Sequence, residues 1–115
     1  MKAGLEELGY EIGDALKDVA SSIDPSVEMN GSPDVKPREG GSLAVYLKGR
    51  EDVEFIGVQL HVTWDPVPRY HVDFGSLRMR HGDEINFLRD AEGGTLFDDF
   101  DRVAEPIAHA LKQNL

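Results

Sequence analysis

Between Ile56 and Trp64 the chain alternates, with Ile56, Val58, Leu60, Val62 and Trp64 on one side of an extended backbone and Gly57, Gln59, His61 and Thr63 on the other. Successive side chains of a strand point to opposite faces, so this run predicts a strand with one buried and one wetter face. Such a strand requires partners in the plane of a sheet and a cover over its apolar side, and those two needs constrain the rest of the chain. Leu43, Val45 and Leu47, alternating with Ala44, Tyr46 and Lys48, supply one neighbour through the turn Gly49-Arg50-Glu51-Asp52. Asp65-Pro66-Val67-Pro68 closes a hairpin on the other side, because proline has no amide hydrogen to give a ladder. Tyr70, Val72 and Phe74 are expected to return on the core face, with a phase shift at Gly75 toward Leu77 and Met79 that predicts a bulge there. His81-Gly82-Asp83 then turns into a last strand, Glu84 to Arg89.

The cover comes from the two ends of the sequence. Leu5, Leu8, Ile12, Leu16, Val19 and Ile23 recur at three- and four-residue steps and form one stripe of a helix, with Gly9, Gly13 and Ala20 on its flank, where small side chains permit close packing. Asp24-Pro25 ends it, since the residue before proline is pushed out of the α region. Thr95 is a suitable N-cap for a second helix, with Asp98 completing an acidic capping box. Its apolar face is Leu96, Phe97, Phe100, Val103, Ala104, Ile107 and Leu111; Pro106 should face solvent and either kink the helix near Arg102 or split it, Pro106 then sitting in a first turn. Ser26 to Asn30 has room for a short strand, and residues 30–41 have the composition of a long flexible loop that contributes nothing to the core. The expected fold is α+β: a four- to five-stranded antiparallel sheet with N- and C-terminal helices packed on one face. At 115 residues, all of this belongs to a single domain spanning 1–115.

Charge narrows the function. Twenty-two acidic residues against twelve Lys and Arg give a formal net charge of -10, which repels phosphate backbones and anionic membrane surfaces and removes nucleic acid and membranes from the expected partners. With no cysteine, the chain has no disulfide, thiolate metal site or thiol nucleophile. No apolar run reaches the length of a signal peptide or a membrane span, so a cytoplasmic setting is expected. Dinucleotide-binding glycines, a phosphate-binding loop and a Gly-x-Ser-x-Gly elbow are all absent, and no cofactor is expected.

Three constellations stand out. Glu7, Glu11, Asp14 and Asp18 occupy about one sixth of the first helix's circumference, where like charges repel and only Lys17 relieves them. A solvated face or salt adaptation accounts for such a stripe, and so does a basic partner. Asp98, Asp99 and Asp101 form a second acidic cluster at a helix start, where the dipole favours carboxylates with or without a ligand. His61, His71 and Asp73 fall on the wet face of one hairpin and have the chemistry of a zinc or iron site or an acid–base pair, although ordinary surface histidines fit the same pattern. Trp64, at a strand end, is expected to anchor the core.

In size, charge and element order the chain resembles toxin-neutralising immunity proteins, acidic chaperones of secreted effectors and protein mimics of nucleic acid, without a shared motif. The resemblance implies a non-enzymatic, acidic, inhibitor-type binding domain acting on a basic toxin or effector-like protein through Glu7, Glu11, Asp14, Asp18, Asp98, Asp99 and Asp101. The alternatives are an effector chaperone, a small metal-dependent enzyme using His61, His71 and Asp73, and a homodimer joined through the open sheet face around Tyr46, Phe55 and His61.

Overall fold

In a computed structural model of the chain, which describes residues 2–37, 40–64, 66–89 and 102–115, the first apolar stripe becomes helix α1 (Lys2–Ala20). Leu8, Ile12 and Leu16 are fully buried against the apolar side of a sheet made by the alternating runs. Six strands form that sheet, all paired antiparallel: β1 (Glu28–Met29), β2 (Asp34–Lys36), β3 (Ser42–Lys48), β4 (Val53–Trp64), β5 (Pro68–Met79) and β6 (Glu84–Arg89). Their order is β1-β3-β4-β5-β6, and β2 shares the outer edge of β3 with β1. The second helix, α2 (Ala104–Gln113), packs beside α1 and closes the core with Val103, Ile107 and Leu111. The α+β architecture with both helices on one face is therefore the one the periodicities imply. No helix among the described residues is long and apolar enough to cross a membrane.

The structure departs from the sequence reading at specific places. The segment 30–41, expected as a coreless loop, contains β2, which pairs Val35 with Leu43 and packs Val35 on the core beside a buried Pro33. Three residues are too few for an alternation to be visible. Two register shifts take the place of the one expected at Gly75. The shift beside Gly75 falls in the β5–β6 pairing, where Phe87 of β6 is the extra residue. Against β4 the bulge in β5 sits at Asp73, since Leu60 faces Val72 and Gln59 faces Phe74. One inserted residue reverses the parity of a strand, so Phe74 lies on the open face, 36% exposed, and not in the core. Trp64 is not a core anchor either. It is 46% exposed, and its indole N–H donates to the Gly40 carbonyl at 3.0 Å. The alternation carries Trp64 to the apolar side, but burial ends at Val62.

Pro106 is the third residue of α2 and exposed, in the first turn, where a helix needs no intrahelical donor. The expected Thr95 cap and the apolar residues Leu96, Phe97 and Phe100 lie outside the described residues.

Asp24 does more than end a helix. It is the one buried polar or charged residue among those described, and its carboxylate accepts hydrogen bonds from the Ser26 hydroxyl (2.5 Å), the Ser26 amide (2.9 Å) and the Glu51 and Val53 amides (3.1 and 3.0 Å). From the other side, the Arg80 guanidinium donates to the carbonyls of Glu51 and Gly49 at 2.8 and 2.7 Å. The β3–β4 turn is thus held by an anion on its amides and a cation on its carbonyls, which satisfies backbone groups that neither ladder pairs.

Candidate functional site

Two faces of this scaffold carry the chemistry singled out in the sequence. On α1, a side chain recurs on one face every third or fourth residue, and burying Leu8, Ile12 and Leu16 turns Glu7, Glu11, Asp14 and Asp18 away from the sheet. All four are exposed. Among the described residues none of them makes an ion pair, and Lys17 on the same helix is exposed and pairs with none of them. Asp18 borders a shallow groove between the helices, lined also by Val19, Arg102, Glu105, His109 and Lys112, so the acidic face gives way to mixed charge along α2. Asp98, Asp99 and Asp101 lie outside the described residues.

Among the described residues, the opposite side of the sheet has no helix over it. There the β4–β5 register sets His61 directly across from His71, and the rings stack with centroids 4.9 Å apart and planes 8° from parallel. The bulge aims Asp73 back along the sheet, so that His61 Nδ1–H donates to Asp73 Oδ1 at 2.7 Å. Thr63 Oγ1 lies 3.0 Å from His71 Nε2. The three residues expected to gather therefore do gather. The carboxylate fixes the tautomer and orientation of one imidazole, as it does wherever histidine serves as a base or a ligand. Among the described residues, however, no group of three or more His, Cys, Asp or Glu side chains converges in a way that could hold a metal ion. What the arrangement achieves in the chain itself is local: it links the two strands of the hairpin across their wet face.

The sequence reading placed Tyr46 and Phe55 on this face but missed Phe74, which it expected in the core. Tyr46 and Phe55 lie 5.5 Å apart over Gly57, and Phe74 occupies the neighbouring row, beside Gln59. Tyr46 and Phe55 were legible from strand parity, whereas Phe74 arrives there only through the Asp73 bulge.

No protein-family model matches the chain, and no curated protein or solved structure matches it either, so its function is argued from these faces alone.

Proposed function

We propose that the chain is a non-enzymatic binding domain that engages a basic protein through the acidic face of α1, in the manner of an inhibitor or immunity protein. The observation that supports this reading is the exposed row Glu7, Glu11, Asp14 and Asp18, none of which makes an ion pair among the described residues. Like charges at helical neighbour positions cost the folded chain a few tenths of a kcal/mol per pair, roughly 0.2–0.5. A cationic surface laid along the row removes that repulsion, steers encounter, and disfavours partners of the wrong sign. The net charge of -10 extends the same field beyond contact distance.

The test is salt and charge dependence. A basic partner captured on the immobilised chain should elute early in a salt gradient, because charge interactions at an exposed surface are screened within about 8 Å at physiological ionic strength. Changing Glu7, Glu11, Asp14 and Asp18 together to Gln and Asn should weaken binding by at least about tenfold, or ~1.4 kcal/mol, with the circular dichroism of the chain unchanged. Affinity that survives molar salt, or survives the fourfold variant, would overturn the proposal. An inhibitor and a chaperone are separated by the partner's own activity, which the first abolishes and the second preserves.

A further inference from the structure

The face of the sheet away from the helices differs in charge from the rest of the molecule. Among the described residues, register and exposure place Lys36, Lys48, Arg69 and Arg78 there against Glu28, Asp34, Glu54, Asp73 and Glu84, so their charges nearly balance in a chain whose net charge is -10. Apart from Asp73, which lies mid-strand and is bonded to His61, these charges sit towards the ends and edges of the strands. The middle rows are Ala44, Tyr46, Gly57, Gln59, Phe74 and Ser76, none of them ionisable at neutral pH. An uncharged, aromatic centre with a polar, two-signed rim is the anatomy of a protein interface.

We propose that this face is where two copies of the chain meet, sheet against sheet, with α1 and α2 of each copy on the outside. The charge distribution selects a second copy as the occupant. Two molecules of this acidity repel each other in any orientation that brings the α1 rows together. Contact through the open faces puts the nearly neutral surfaces in the middle and the acidic rows on the two outer sides, as far apart as the assembly allows. A strongly basic partner, by contrast, finds no excess of negative charge here. The extent of the face also fits. At about 3.4 Å per residue and 4.8 Å between neighbours, the six strands present a projected area on the order of 700 Å², close to the roughly 800 Å² that each partner contributes to a standard interface. Two sheets stacked face to face pack about 10 Å apart with side chains interdigitated, a spacing that the Tyr46, Phe55 and Phe74 rings fill. The proposal is independent of the binding role assigned to α1; a dimer would carry two such acidic faces.

Light scattering on the full-length chain across a concentration series tests it. The expected mass is twice 12.7 kDa at the concentrated end, falling towards the monomer on dilution. Gln59→Lys and, separately, Phe74→Asp place a charge in the central rows at partly exposed positions, and each should halve the mass while leaving the circular dichroism unchanged. The fourfold neutral variant of α1 should stay dimeric. A chain that is monomeric at every concentration, or a dimer that persists in both central variants, would overturn the proposal. So would a dimer lost when α1 alone is neutralised. A foreign protein that binds the monomer and is released by Gln59→Lys would show that the face serves another occupant.

Discussion

Replacing Asp24 by Ala is expected to lower the midpoint of thermal unfolding by roughly 10 °C or more. The carboxylate is wholly buried and accepts four hydrogen bonds, three of them from the backbone amides of Ser26, Glu51 and Val53 in the α1–β1 link and at the β3–β4 turn. Deleting an acceptor while its donors stay buried costs more than the bond itself contributed, because those donors lose water without gaining a partner. Asp24→Asn should rescue little of the loss. One amide oxygen can still serve Ser26, but the amide nitrogen then points donors at the amides of Glu51 and Val53. A thermal melt within a few degrees of wild type for Asp24→Asn would show that the turn does not depend on the charge.

The same bonds predict how acid acts. The Ser26 hydroxyl, and with it the amides of Val53, Ser26 and Glu51, hold the Asp24 carboxyl well below the usual carboxylate range, and burial only partly opposes them. The folded chain therefore takes up this proton less readily than the unfolded chain. Its contribution to stability is complete above the ordinary carboxylate value of about 3.9 and is lost progressively as pH falls below that value toward the folded one. Wild type should lose stability in that window by more than Asp24→Ala does. Equal slopes in denaturant melts repeated at falling pH would contradict this account.

Gly9→Ala is the second substitution expected to have a large effect, and local propensity gives it the wrong sign. In an isolated helix alanine is better than glycine by about 1 kcal/mol, yet here the chain should be destabilised by roughly 1–2 kcal/mol, as overpacking of a close contact predicts. A Cβ at Gly9 would lie 2.7 Å from Pro33 Cγ and 3.0 Å from Leu43 Cδ1. Pro33 is a rigid ring in the link to β2 and cannot withdraw without moving backbone, and Leu43 of β3 is buried in the core. Gly13→Ala serves as the control. Its Cβ would meet the Met29 thioether, 2.5 Å from the sulfur, and a methionine chain can adopt another rotamer. Denaturant titrations should rank Gly9→Ala clearly below Gly13→Ala. The reverse order would mean that α1 does not rest on the β2 link as described.

The sequence alone determined what depends on near neighbours along the chain. The three- and four-residue steps of Leu8, Ile12 and Leu16 specify which side of α1 is buried, and the same steps place Glu7, Glu11, Asp14 and Asp18 on an exposed face. Strand parity from Ile56 to Val62, with a turn at Pro66 to Pro68, likewise places His61 and His71 near each other on the wet face, and the register sets them directly opposite. Tertiary structure decided whatever depends on a partner far away in the chain. The carboxylate of Asp24 meets amides 27 and 29 residues on, and β2 exists because β3 offers it an edge. A single extra residue opposite Gln59 and Leu60 moves Phe74 to the open face and aims Asp73 at His61. Periodicity records the faces of an element, which local geometry sets, but a bulge or a buried acceptor is settled by which backbone groups remain unpaired once the sheet has closed.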